Sequence, residues 1–335
     1  MSASVEVPPA IASMPRFRLL DGPSPLHRLP RFAEAVGGRV DVWMKREDLL
    51  PIAFGGNKLR NLEFLFGAAL AEGADTVITS GRRWSNHCRL TAAAGARAGL
   101  AVHLVLGGPP GELAGSTGPM LDELLGATVH VTASAAREDR EALVERVRGE
   151  VAAEGRRPFV IGVGGSGRVG YAGQVLAGIE VAEQAAALAV QPAAIVVPSA
   201  TGGTQAGVLA GLRLAGATSA VVGVAAAHGA EEVREAVLAA LAEIEALTGL
   251  SVGADEVHVD GSQLGDGYGF PTAAAGAATR LLGRSEGILV DPIYTAKGLA
   301  GLVAGVTEGR WDGRTVVFWH AGGLPGLFEP LPGRG

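Results

Sequence analysis

Residues suited to strands and residues spaced for helices alternate along nearly the whole chain, and no other feature restricts its fold as much. Residues 40–45, 76–79, 101–106, 128–131, 159–163, 194–197, 220–225, 256–260 and 315–320 read as strands. Helices are expected over 59–71, over an Ala-rich stretch ending at Gly99, and over 120–125, 135–154, 172–189, 230–247, 272–284 and 296–308. One more helix opens from the turn at 199–207, and residues 1–20 read as a poorly ordered lead. Such alternation builds parallel sheets with helices on both faces. The expected class is therefore α/β, with two open parallel-sheet domains. A small domain over 60–160 would be inserted into a large one made of 1–59 plus 161–335.

Parallel sheets need an aliphatic core, and the 335 residues supply one: 48% are hydrophobic but only 5% aromatic. The net charge of −6 without a basic block argues against nucleic acid as a partner. Cys88 is the only cysteine, so no internal disulfide or cysteine-based zinc site can form, and no metal is expected. No apolar run reaches the roughly 18 residues of a membrane span. Residues 1–16 lack the apolar centre of a signal peptide. The expectation is a soluble, cytoplasmic protein without a membrane partner.

Ligands of parallel α/β sheets gather at the carboxyl ends of strands, and four segments stand there. In Phe54-Gly55-Gly56-Asn57-Lys58, two glycines lead to a lysine in the first turn of a helix, with Asn57 as its expected N-cap. The helix dipole disfavours a cation there and favours a neutral amine. Lys58 is thus a candidate Schiff-base lysine; the ordinary alternative is a surface lysine. Ser199 to Gly207 joins a strand to a helix through Gly and Thr, a shape that cradles one phosphate with free N–H groups, aided by the Thr201 and Thr204 hydroxyls. An ordinary βα turn is the alternative. Ser85-Asn86-His87 either caps a helix or holds a carboxylate. Cys88 reads as a buried filler. Tyr268 and Tyr294, each among turn residues, are the fourth, and the last strand ends in His320-Ala321-Gly322-Gly323, another sign of close backbone approach.

Six of these motifs, in order between about 17 and 330, resemble the 1-aminocyclopropane-1-carboxylate deaminase / D-cysteine desulfhydrase family. They are Phe54-Gly55-Gly56-Asn57-Lys58-x-Arg60, Ser85-Asn86-His87-x-Arg89, Thr201 through Gly207, Gly269-x-Pro271-Thr272, Asp291-Pro292-x-Tyr294-Thr295-x-Lys297 and His320-x-Gly322-Gly323. The resemblance implies pyridoxal 5'-phosphate (PLP) as cofactor, the tryptophan-synthase-β-like fold type II, a small amino-acid substrate and a homodimer. It makes Lys58 the lysine that binds the cofactor aldehyde and gives the phosphate to Ala200, Thr201, Gly202, Gly203 and Thr204. Asn86 would bond the ring hydroxyl and Thr295 would face the ring nitrogen. Ser85 would bind the substrate carboxylate and move a proton, with His87 beside it. Tyr294 and Tyr268 would line the substrate face.

A neutral hydroxyl at Thr295, where the family's deaminases have an acid, leans toward β-elimination from a cysteine-like amino acid, giving pyruvate, ammonia and sulfide. Ring-opening deamination is the alternative, as is a related lyase or synthase on another, acidic, β-substituted amino acid. Trp84, Asn61 and Ala321 depart from the family pattern: Trp84 should reshape the carboxylate end of the substrate pocket, and Ala321, also expected in that pocket, matches neither the desulfhydrases nor the deaminases. Arg82 and Arg83 add two cations, one of which is expected to meet a second acidic group on the substrate. A binding protein with degraded catalysis is the rival of another class. No GxGxxG opens a helix, which argues against a nicotinamide enzyme.

Overall fold

The computed structural model describes residues 5–108, 115–134 and 136–331 and contains two sheets. The strands are β1 (Leu26–Arg28), β2 (Asp41–Arg46), β3 (Thr76–Arg82), β4 (Ala101–Gly107), β5 (Thr128–Thr132), β6 (Pro158–Val160), β7 (Pro192–Ser199), β8 (Ala220–Ala225), β9 (His258–Asp260) and β10 (Thr315–His320). One sheet has the order β1-β2-β10-β7-β8-β9 and the other β5-β4-β3-β6. Every pairing is parallel except β1 with β2.

Strand alternation explains why helices cover both faces. On β7, Ile195 and Val197 pack with helices Arg168–Ala187, Gly203–Leu214 and Ala230–Thr248, whereas Ala194 and Val196 pack with Ala273–Glu286 and Thr295–Thr307. The smaller sheet does the same: Val77 faces helix Lys58–Ala71, and Ile78 faces Arg137–Ala153. Burial of each such side chain contributes about 1.5–3 kcal/mol. Helix ends fall within a few residues of their expected places; Ala135 lies outside the described residues.

Four expectations are corrected. The lead is not loose from Val5 on: Pro9–Ala12 is helical, Ile11 and Leu19 are buried, and the amides of Leu19 and Leu20 donate to Oε1 of Glu63 at 2.8 and 3.0 Å. A glutamate inside an apolar helix was the sequence sign of this anchor. The parallel pattern hid β1, a short antiparallel edge. The strand expected over 159–163 stops at Val160 because Gly164, at φ +69°, turns the chain through Val163–Gly165. The strand expected from 256 begins at His258, after a 3-10 turn over Ala254–Glu256.

A buried ion network ties these parts behind Lys58. Arg60 Nε donates to Glu47 Oε2 at 2.6 Å, Nη2 to Glu47 Oε1 at 2.8 Å, and Nη1 to Glu180 Oε2 at 2.9 Å. Lys45 pairs with Glu180 and donates to the Ser24 carbonyl at 2.7 Å. Breaking such a cluster strands buried charge. Arg60→Ala should lower stability by about 3–5 kcal/mol, read as a lower denaturant midpoint at unchanged slope; a loss below about 1 kcal/mol would show that the cluster is solvated like a surface pair.

Candidate active site

A cavity of about 440 Å³ opens where the carboxyl ends of β3 and β7 face each other. Lys58 reaches it from an unusual turn. Ile52, Ala53 and Phe54 have φ of 61°, 44° and 64°, and Gly55 and Gly56 continue at positive φ. Left-handed backbone costs about 1–2 kcal/mol for each non-glycine residue, so the turn must be held. Arg89 holds it: Nε donates to the Ala53 carbonyl at 3.1 Å and Nη2 to that of Gly55 at 3.3 Å. Asn57 does not cap the helix as expected. Its backbone is already helical, and Nδ2 donates to Thr204 Oγ1 at 2.8 Å, binding the lysine turn directly to the phosphate-type cradle.

The chain has three lysines, and their partners separate them. Lys45 is in the ion network, and Lys297 donates to the carbonyls of Leu264 and Gly267 at 2.8 Å. Among the described residues, Lys58 has no hydrogen-bond or ion-pair partner. Burial lowers its pKa to about 8. A Cβ on Gly164 would lie 3.5 Å from Lys58 Nζ and 3.3 Å from Thr201 Oγ1, so glycine there lets amine and cradle converge.

The cradle sits at the N-terminus of helix Gly203–Leu214, which has no side-chain cap. Gly202 is left-handed, and a Cβ there would strike Val237 N at 2.7 Å. Ser199 Oγ is buried without a partner and lines the cavity. An orphaned hydroxyl, an uncapped helix start and the dipole's roughly half positive charge fit a phosphate monoester, and the amine nearby fits an aldehyde. Ala200, Thr201, Gly202 and Thr204 line the cavity. Gly203 does not line it; its N–H turns back to the Thr201 carbonyl at 2.9 Å.

Across the cavity, Ser85 caps helix Asn86–Ala98 by accepting from Cys88 N at 3.2 Å, which leaves its hydroxyl proton free to donate. Asn86 Oδ1 accepts from Arg89 Nη1 at 2.7 Å. Because arginine only donates, the Asn86 amide NH₂ is the end left for a ligand oxygen. His87 Nε2 lies 2.9 Å from Thr79 Oγ1, which itself donates to the Ile161 carbonyl at 2.8 Å. The imidazole proton is therefore on Nε2, and Nδ1 has no partner. Burial, then the Lys58 charge, lowers this pKa to about 3, so the ring is neutral.

Tyr268 and Tyr294 line the same wall with their hydroxyls bonded to each other. Burial raises both pKa values, that of Tyr294 well above the usual range. Thr295 Oγ1 donates to the Gly322 carbonyl at 2.8 Å, and its amide donates to Asp291 Oδ2 at 3.0 Å. Ala321 lines the cavity; Trp84 and Arg83 do not. Trp84 stands behind Tyr268, edge to face with centroids 5.5 Å apart, and Arg83 lies over the Trp84 ring and donates to the Pro330 carbonyl at 3.2 Å. Sequence reading placed Ser199 at the start of the cradle but gave its hydroxyl no role, missed Gly164 and the orienting role of Arg89, and gave the cavity wall neither Arg137 nor Arg140. The Gly-Gly pair and the Ser-Asn-His-x-Arg spacing were the available signs of the first three.

An amine without a counter-ion beside a phosphate cradle, between two parallel sheets, defines an enzyme of the PLP type. The family model described as pyridoxal-phosphate dependent enzyme matches residues 17–322. D-cysteine desulfhydrases of Salmonella choleraesuis and Salmonella newport are each 37% identical over 327 residues, covering 96% of this chain and 98% of theirs. The solved structure of an ACC deaminase homologue superposes with a TM-score of 0.89 at 34% identity, covering 98% of this chain and 97% of its own. The processed form of threonine deaminase isoform 2 from Solanum lycopersicum shares the fold, with a TM-score of 0.65 at 18% identity over 94% of this chain and 87% of its own. The chain is a PLP-dependent enzyme of fold type II and belongs to the ACC deaminase / D-cysteine desulfhydrase family.

A lysine that titrates near 8 has a testable signature. Only its neutral form attacks an aldehyde, so PLP capture by cofactor-free protein should quicken about tenfold per pH unit up to about 8 and level off above it. Lys58→Ala should abolish the capture and the absorbance that accompanies it. A rate still climbing toward pH 10 would mark an ordinary exposed lysine.

Proposed function

We propose that this protein is a carbon–sulfur lyase that eliminates the β-substituent of a small amino acid, as D-cysteine desulfhydrase does by name. With cysteine, one water enters and pyruvate, ammonia and hydrogen sulfide leave. Bound PLP supplies an aldehyde that takes up an amine and a ring that draws electrons from Cα. Ala200, Thr201, Gly202 and Thr204 would hold its phosphate, with the Ser199 hydroxyl as an added partner, and Asn86 would offer NH₂ to its ring oxygen. Ser85 and the first-turn amides of its helix take the substrate carboxylate. The Lys58 amine, neutral near pH 8, is positioned to take the Cα proton. The paired hydroxyls of Tyr268 and Tyr294 form the wall against which the side chain rests. The division into domains 1–59 plus 161–335 and 60–160, a cytoplasmic setting and a homodimer belong to the same reading.

One observation carries elimination over ring-opening deamination. Thr295 Oγ1 has given its proton to Gly322, and Asp291 is spent on the amides of Ile293, Tyr294 and Thr295. Among the described residues, no Asp or Glu lines the cavity. A cofactor ring nitrogen beside Thr295 would thus meet only a neutral acceptor, which would store less negative charge in the ring and favour loss of the leaving group.

Holoenzyme should release pyruvate with ammonia from D- or L-cysteine. Thr295→Asp should lower kcat for keto-acid release about tenfold or more, equivalent to about 1.4 kcal/mol, while Thr295→Ser retains it. Equal kcat in Thr295→Asp would remove the reason for preferring elimination, and no keto acid from any β-substituted alanine would overturn the lyase.

A further inference from the structure

Elimination from a neutral cysteine leaves one feature of the cavity unused. Its charged lining is all cationic among the described residues: Lys58, Arg82, Arg137 and Arg140. Arg137 already pairs with Glu141 at 2.6 Å, and Arg140 Nη1 donates to the Ala136 carbonyl at 3.1 Å. Arg82, the last residue of β3, differs. Its guanidinium carbon lies 5.1 Å from the Trp84 ring centre and 5.8 Å from that of Tyr268, over two aromatic rings. Its Nε is buried without a hydrogen-bond partner, and no carboxylate pairs with it among the described residues. Its charge adds to burial in pressing Arg140 below the usual arginine range. A guanidinium without an acid, set beside a second guanidinium, forms a site that an anion would complete.

That anion is neither the cofactor phosphate nor the substrate's α-carboxylate. The phosphate cradle is on β7 and its helix, whereas Arg82 is on β3 of the other sheet. The α-carboxylate has Ser85 and its helix start. We propose that the amino acid processed here carries a second negative charge on its β-substituent, read by Arg82 with Arg140. This rests on the lyase reading above and narrows its substrate class. The substituent leaves with the electron pair of its bond to Cβ, and the guanidiniums face the charge that grows on it. With cysteate, for example, one water enters and pyruvate, ammonia and sulfite leave. Trp84 then acts as the platform on which Arg82 is stacked.

Keto-acid release by holoenzyme is compared for cysteate and O-phosphoserine against cysteine and β-chloroalanine, in both Cα configurations. The anionic pair should have at least about tenfold higher kcat/KM at low salt, narrowing as salt screens the arginines. Arg82→Gln should reduce that ratio at least about tenfold, mainly through KM, with partial return in Arg82→Lys. A separate readout needs no turnover: calorimetric binding of aspartate, which places a carboxylate on Cβ, against alanine. Wild type should prefer aspartate and Arg82→Gln should lose the preference. A wild-type ratio of one or less, with keto acid formed from cysteine, overturns the anionic site and leaves the lyase standing. If no substrate yields keto acid, the lyase falls and the aspartate preference alone decides the arginine site: its loss in Arg82→Gln supports it, and no preference in wild type overturns it.

Discussion

One amine kept without a counter-ion is the constraint that the rest of the molecule serves. Lys58 stands between the two sheets with, among the described residues, no carboxylate to hold its proton, so burial acts unopposed and brings its pKa to about 8. A carboxylate beside it would work against that lowering and hold the amine more firmly protonated. Burial lowers the other two lysines as well, Lys297 to about 8, but each is bonded to acceptors, so Lys58 differs from them in having no partner among the described residues. Reactivity here comes from partners withheld.

Withholding partners and bending the backbone both work against stability, and neighbouring residues offset them. The turn of three left-handed non-glycine residues is fastened by Arg89, which also orients Asn86. Asn57 spends its amide on Thr204 rather than on its own helix, and Gln174 fixes the Asn57 carbonyl at 2.9 Å. Behind the lysine, Arg60, Glu47, Glu180 and Lys45 neutralise one another, all buried but Glu180, which keeps 19% of its side chain exposed. Asn57, just before Lys58, and Arg60, two residues after it, are thus each bound to an element far away in sequence, and among the described residues the lysine between them has no partner.

Much of this was legible in the sequence because it is local. Glycine-rich turns at strand ends, the alternation of periods and the six ordered motifs depend on neighbours a few residues apart, and they brought Lys58, Ser85, Asn86, Thr201, Tyr268, Tyr294 and Thr295 to one cavity. What stayed hidden depends on contacts across long separations. The Asn57–Thr204 bond spans 147 positions, so local capping rules gave the wrong role for Asn57. Arg82 and Arg83 look alike in sequence, yet Arg82, the last residue of β3, lines the cavity, whereas Arg83, in the turn that follows, lies over Trp84 and bonds to the Pro330 carbonyl. The lead was misread because its anchor, Glu63, lies on a later helix.

Borohydride reduction of the PLP-loaded protein followed by peptide mapping tests the central claim most directly, since only three lysines can carry the label. The adduct should be found on the peptide that contains Lys58 and on no other. An adduct on Lys45 or Lys297, or none, would contradict the assignment of the reactive amine and every role derived from it.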